Sequence, residues 1–264
     1  MTFRRLGVIA GLVALLLSTA VPAQAATSGW WKPKASAALR WQIQFSGKID
    51  LTVPATVYDL DGDATTAQQI TQLHRRGAKV ICYFSAGSYE DWRADKNQFP
   101  ADVLGKDLDG WPGEKWLDVR RWDVLGPIMK ERMRLCRDKG FDAVDPDNVD
   151  GYANDNGVGL TAADQLTYNR RIAKVAHSLG LAVGLKNDLD QVPQLVSSFD
   201  FAVNEQCAYF KECHLLTPFV KAGKPVFEIE YEVAVQTFCA PARKLGFAAI
   251  RKKRSLSEWR QTCP

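Results

Sequence analysis

A beat of helix, glycine and short strand recurs along most of the chain and constrains the fold more than any single motif. Helical patterns at 65–76, 123–139, 161–179, 215–222 and 233–245 end at Gly77, Gly140, Gly180, Gly223 and Gly246, each followed by a β-branched or aromatic run. A glycine just past the last periodic residue is a common helix stop. Eight runs are candidate strands: Trp41–Phe45, Thr56–Leu60, Lys79–Ser85, Asp142–Asp147, Ala182–Asn187, Phe201–Glu205, Pro225–Tyr231 and Phe247–Arg251. Helical segments at Val192–Ser198 and Ser255–Thr262 complete the alternation. Strands alternating with crossover helices require a parallel sheet, and eight of them favour an α/β fold of the (β/α)8 TIM barrel type over an open doubly wound sheet. The link from Phe45 to Thr56 is too short for a crossover helix. Either the first strand pairs unusually or an N-terminal segment plugs the barrel. The stretch from Ala86 to Trp122, rich in Trp, Asp and Gly, reads as a long loop on the catalytic face after the third strand.

The first residues stand outside this pattern. Arg4 and Arg5 precede an apolar run from Leu6 to Val21, and Ala23-Gln24-Ala25 forms a small-x-small cleavage site. That is the layout of a secretory signal peptide over residues 1–25, with the mature chain starting near Ala26 and no membrane anchor after cleavage. No linker or domain-sized repeat interrupts residues 26–264, so one catalytic barrel domain is expected there, secreted and extracellular. The formal charge of +4 falls to +2 once Arg4 and Arg5 are removed. No long basic run is present, so a nucleic-acid partner has little support. All 6 cysteines lie beyond the leader, and an even count in an exported chain implies disulfides. Six cysteines allow 15 pairings; one that the spacing permits joins Cys207 to Cys213 within a loop and Cys239 to Cys263 at the C-terminus, leaving Cys82 with Cys136. A zinc site is the rival, but there is no C-x-x-C pair and His74, His177 and His214 are far apart, so no metal and no cofactor are expected.

In a barrel, alternate strand residues point inward and the chemistry is built at the C-terminal strand ends. A period of two then sends Asp59 and Asp61 inward from the second strand and Tyr83 and Ser85 from the third. Asp145 and Asp147 follow from the fourth, Lys186 from the fifth, Glu205 from the sixth, and Glu228 and Glu230 from the seventh. Seven carboxylates would converge on one mouth with Lys186 as the main counter-charge. Like charges gathered together cost free energy unless a function offsets them. Paired carboxylates fit glycosidic bond cleavage, in which one acid protonates the leaving oxygen and the other carboxylate attacks or activates water. A Ser-His-Asp hydrolase fits poorly, because there is no G-x-S-x-G elbow. Neither a P-loop nor a G-x-G-x-x-G fingerprint is present. The same parity turns Cys82 outward, towards a helix residue such as Cys136.

Several blocks are more specific: Trp30-Trp31-Lys32-Pro33, Trp41-Gln42-Ile43-Gln44, Val57-Tyr58-Asp59-Leu60-Asp61, Cys82-Tyr83-Phe84-Ser85-Ala86-Gly87, Lys115-Trp116-Leu117-Asp118, Asp145-Pro146-Asp147-Asn148-Val149-Asp150, Gly184-Leu185-Lys186-Asn187 and Asn204-Glu205-Gln206-Cys207. In this order they resemble glycoside hydrolase family 114, the endo-α-1,4-polygalactosaminidases. The resemblance implies a (β/α)8 barrel that hydrolyses α-1,4-linked galactosamine polymers. It also implies a catalytic Asp at the end of the fourth strand and a Glu at the end of the sixth, which fall on Asp147 and Glu205. Asp147 would be the nucleophile or base and Glu205 the general acid.

Parity alone does not choose between Asp145 and Asp147. Asp147 stands nearer the rim, which leaves Asp145 to orient a neighbour. Substrate contacts are expected from Asp59, Asp61, Tyr83, Ser85, Asp145, Lys186, Asn187, Asn204 and Glu230, with Tyr58, Trp92 and Trp116 as sugar platforms. An acidic mouth suits a cationic amino-sugar polysaccharide. A monomer is expected. Two alternatives stand beside this reading: a glycosidase of the same fold acting on another polysaccharide, and a non-catalytic secreted carbohydrate-binding barrel.

Overall fold

The computed structural model describes residues 29–36 and 39–264; the segment expected to be a signal peptide, residues 1–25, lies outside the described residues. In chain order the barrel strands begin with β1 (Trp41–Gln44), β2 (Val57–Asp61) and β3 (Lys79–Ser85). The insertion contributes β4 (Ser88–Glu90), β5 (Leu104–Asp107) and β6 (Glu114–Leu117). The barrel resumes with β7 (Ala143–Asp147), β8 (Ala182–Lys186), β9 (Phe201–Glu205), β10 (Val226–Glu230) and β11 (Ala248–Arg251), and a short β12 (Gln261–Thr262) ends the chain. The helices are α1 (Ala67–Arg75), α2 (Trp122–Lys139), α3 (Ala162–Ser178), α4 (Val192–Leu195), α5 (Cys207–Phe210), α6 (Thr217–Lys221) and α7 (Val235–Leu245). Strands β1, β2, β3, β7, β8, β9, β10 and β11 pair in that order, all parallel, as a TIM-barrel-like fold requires. All eight sequence-derived strands are present.

Local sequence explains the helix limits. Thr66 with Gln69 and Thr161 with Asp164 form capping boxes that open α1 and α3. Gly140 (φ 100°) and Gly246 (φ 78°) close α2 and α7 in the left-handed conformation that a side chain disfavours.

The barrel interior is apolar below and polar above. Trp41, Ile43, Val57, Ile81, Ala143, Ala182, Phe201, Val203, Phe227, Ile229 and Ile250 fill the floor. The outer faces of the same strands, with Val80, Cys82, Val144, Val183 and Leu185, pack against the helices. Gly184 is required at the interior: a Cβ there would meet the Phe201 ring at 2.4 Å. Trp30 and Trp31 pack against this interior cluster, which is the N-terminal plug that the short first connection allowed. Trp30 also stacks on His177 (centroids 3.9 Å) and donates to Asp200 (2.9 Å), so its role is to seal the barrel base.

The sheet is not closed by a ladder between β1 and β11 among the described residues; the C-terminal segment crosses this seam. Leu256 O accepts from Phe45 N (2.9 Å), Glu258 O from Gln42 Nε2 (2.9 Å), and the Arg260 guanidinium donates to Trp41 O. This corrects the expected helix at 255–262. Its backbone groups are spent bridging the seam, and Gln261–Thr262 pairs antiparallel with β11.

Disulfides join Cys82 to Cys136, Cys207 to Cys213 and Cys239 to Cys263. Cys82 lies on the outer face of β3, as its parity required, and ties the strand to α2. The long insertion is a small antiparallel sheet of order β4-β6-β5. Arg132 of α2, buried, clamps it by donating to Ser85 O (2.6 Å) and to Asp95 (2.7 and 2.8 Å). No helix of the described residues is long and apolar enough to cross a membrane.

Candidate active site

The polar upper layer centres on Lys186 at the end of β8. Its Nζ lies 3.5 Å from Asp145 Oδ2, 3.4 Å from Asp147 Oδ2 and 3.9 Å from Glu205 Oε2. Burial alone would favour the neutral amine. The charges of Asp145, Asp147 and Glu205 outweigh it and hold Lys186 well above the ordinary lysine range. Three strands therefore meet at one buried cation.

The carboxylates are not equivalent. Asp59 and Asp145 are fully buried, and no amide, hydroxyl or backbone donor reaches them. Burial and the charge of Asp145 push Asp59 far above the usual carboxylate range, which favours its protonated form. Together Asp59 and Asp145 form a buried carboxylate pair beneath the mouth, facing Lys186. Asp147 and Glu205 remain accessible, with side chains 18% and 27% exposed. Asp147 Oδ2 accepts from Tyr83 Oη (2.9 Å), and Oδ1 from Asn148 N (2.8 Å). Glu205 Oε1 accepts from Tyr231 Oη and Oε2 from Asn187 Nδ2 (3.4 Å), while Asn187 Oδ1 accepts from Glu205 N (3.0 Å).

Above this pair opens a cleft of about 810 Å³, lined by Tyr83, Asp147, Lys186, Asn187 and Glu205 and walled by Trp92, Trp111 and Trp116 of the insertion. Nine carboxylate side chains and four cationic ones line it. Arg93 ties Asp61 (2.9 Å) and Glu90 (2.9 Å) together on the insertion side. Burial, with Glu90 and Asp147 nearby, raises Glu114 to about 7, and burial with the charge of Asp147 raises Asp150 to about 6.

The sequence profile described as "Glycoside-hydrolase family GH114" matches residues 20–264. The chain belongs to glycoside-hydrolase family GH114. No curated protein sequence matches it at a significant level. Among solved structures, Aspergillus fumigatus Ega3 in complex with galactosamine is 41% identical, covers 91% of this chain and 100% of its own, and superposes with a TM-score of 0.84. The glycoside hydrolase domain of PelA from Pseudomonas aeruginosa, at 13% identity over 84% of this chain and 98% of its own, has a TM-score of 0.68. An α-galactosidase from Thermus thermophilus, at 13% identity over 85% of this chain and 60% of its own, has a TM-score of 0.55. These two share the fold. As a GH114 member, the chain is a glycoside hydrolase.

Within this GH114 chain the structure brings Asp61, Tyr83, Trp92, Trp116, Asp147, Lys186, Asn187 and Glu205 together around the cleft, with Asp59 and Asp145 beneath. Four expected contacts lie elsewhere. Tyr58 is a correction: it faces the helical layer, is 1% exposed and donates to Val53 O (2.6 Å), so it offers no sugar platform. Ser85 is buried and joins Ser88 (2.6 Å) and Asn148 (2.9 Å), shaping the turn behind Asp147. Asn204 points away from the cleft, donating to Asn187 Oδ1 (3.2 Å) and accepting from Cys207 N (3.1 Å), and acts on the site through Asn187. Glu230 and its neighbour Glu228 point outward. In β10 the inward residues are Phe227 and Ile229, followed by Tyr231. The physical reason is the apolar floor: that strand must supply Phe227 and Ile229 to it, and parity sends the carboxylates to the other face.

Asn148, Arg93, Glu114, Asp150 and Arg254 at the cleft, and Tyr231 on Glu205, were not among the sequence candidates. Tyr231 was recoverable, because it shares parity with Phe227 and Ile229. Arg93 and Arg254 carry no comparable signal. Among the described residues, only Cys207, Cys213 and Glu228 gather atoms of metal-ligand type, and both sulfurs are engaged in a disulfide.

Proposed function

We propose that this protein is a secreted, endo-acting hydrolase of α-1,4-linked galactosamine polymers whose carboxylate pair is Asp147 and Glu205. The observation that carries the reading is the convergence of these two accessible carboxylates, alone among the buried cluster, on Lys186 at the floor of one cleft. The Ega3 complex with galactosamine supports the sugar, and the excess of carboxylates along the cleft suits an ammonium-bearing chain. Three disulfides and the leader-like first 25 residues support export, with residues 26–264 acting as one catalytic unit.

Chemically, the catalytic form carries a proton on Glu205, which passes to the glycosidic oxygen as the C1–O bond breaks and leaves Glu205 a carboxylate. Asp147, oriented by Tyr83 and Asn148, either bonds to C1 or takes a proton from the attacking water. Lys186 keeps both groups in place and offsets the charge of Asp145 beneath them. Trp92 and Trp111, both exposed, offer faces on which sugar rings stack, while Trp116 is largely buried in the cleft wall.

Asp147→Asn and Glu205→Gln test the assignment. Each is expected to lower hydrolysis of deacetylated galactosamine polymer at least about a thousandfold while leaving polymer binding within a few-fold of wild type. A near-normal rate in either variant overturns it.

A further inference from the structure

Directly after Glu205 the chain builds a feature that bond cleavage does not use. Gln206 adopts a left-handed backbone conformation (φ 67°), α5 follows for four residues, and Lys211 is left-handed again (φ 64°). Non-glycine residues in that region persist only where the surroundings over-determine them. Here they do. The Cys207–Cys213 disulfide closes the turn, Ala208 N donates to Glu230 Oε1 (2.7 Å), and Gln206 Nε2 donates to Glu232 Oε2 (2.7 Å). Arg254 then bonds both Glu232 (2.8 Å) and Gln206 (3.5 Å).

This knob holds two aromatic side chains out in solvent. Tyr209 is 52% and Phe210 59% exposed, packed edge to face with centroids 5.0 Å apart. Of the other exposed large apolar side chains among the described residues, Trp92 and Trp111 line the cleft and Leu135 lies on α2. The knob is continuous with the cleft, because Glu205 and Arg254 line the cleft while Gln206 begins the knob. Four helical residues advance only about 6 Å at 1.5 Å each.

We propose that Tyr209 and Phe210 form a binding platform for the polysaccharide where it leaves the cleft, taking sugar units beyond those at Asp147 and Glu205. The inference rests on the reading of the protein as a polysaccharide hydrolase. A cleft of about 810 Å³ holds a few sugar rings, so a longer chain must continue over the adjoining surface. The apolar faces of sugar rings stack on aromatic rings, and an ammonium group adds attraction to the aromatic face. A platform held rigid by a disulfide and by Glu230 loses little entropy on binding. Glu230 thus serves the knob as a positioning residue, through the backbone of α5.

The experiment compares Tyr209→Ala/Phe210→Ala with wild type on deacetylated α-1,4-galactosamine polymer and on a short oligosaccharide that fits within the cleft. Co-sedimentation with insoluble polymer is measured in the Asp147→Asn background, with and without the platform. The expected result is a fall of about five- to tenfold in kcat/KM on polymer, mostly through KM, with a matching loss of binding and a short-substrate rate within about twofold. Tyr209→Trp/Phe210→Trp is expected to restore polymer activity. Equal losses on both substrates would assign the pair to holding Glu205 and overturn the platform, as would an unchanged rate and affinity on polymer. If wild type cleaves neither substrate, the functional reading fails and the platform with it. Cleavage by wild type with an indifferent double variant overturns the platform alone.

Discussion

Asp188 shows how strongly position in the fold sets the state of one side chain. It follows Lys186 by two residues, sits in a left-handed conformation (φ 48°) and is buried, with Oδ2 accepting from Asn169 Nδ2 (2.8 Å). Burial, then the charge of Asp150, raises it to about 8. An unfolded aspartate loses its proton near pH 4. Between about pH 4 and 8 the native state therefore holds a proton that the unfolded state has released, and stability falls as pH rises through that window. Asp188→Asn removes the dependence. It is expected to raise the thermal midpoint more at pH 8 than at pH 5, and unfolding scans at the two pH values check this; equal shifts would contradict it. At the same scale, Lys186 was legible from alternation alone. Tyr58 was misplaced because its neighbour Asp59 occupies the inward position.

At the scale of elements, alternation along a strand marks two faces without saying which faces the barrel axis. The carboxylates of β2, β7 and β9 face inward, and those of β10 face outward beneath α5. What decides is the residue that each strand must place in the floor: Val57, Ala143 and Phe201 share parity with Asp59, Asp147 and Glu205, while Phe227 opposes Glu228. The cross-links also differ by element. Cys82–Cys136 spans 54 residues, Cys207–Cys213 only 6. In the chain-entropy picture, removing the first costs about 4 kcal/mol and removing the second about 2 kcal/mol. Denaturation midpoints of the paired Cys→Ser variants are expected to fall in that order. The shorter bridge is nevertheless expected to matter more for polymer than for short substrates, since it holds the Tyr209–Phe210 knob.

Across the whole molecule, charge distribution says more than net charge. The chain is slightly basic, yet its cleft is lined by nine carboxylate side chains and four cationic ones. Salt screens long-range attraction, with a Debye length of about 10 Å at 0.1 M. Hydrolysis of a deacetylated, cationic polymer is therefore expected to fall steeply with added salt, through kcat/KM, while a fully N-acetylated chain gains little from the field. Rates on both polymers from low to high ionic strength check this; a salt-insensitive rate on the cationic polymer would contradict it.

The alternation of strands, glycines and helices and the placement of Asp147, Lys186 and Glu205 at strand ends were legible in the chain, because each follows from a local period, whereas six cysteines allow 15 pairings and the fold is what brings Cys82 to Cys136 across 54 residues. Only the tertiary structure decided the orientation of β10, the closing of the seam by the C-terminal segment, and the partners Tyr231, Asn148 and Arg254. Those outcomes depend on which residues fill a shared interior and which backbone groups remain unpaired once eight strands meet. The groups involved lie up to about two hundred residues apart, as Arg260 and Trp41 do.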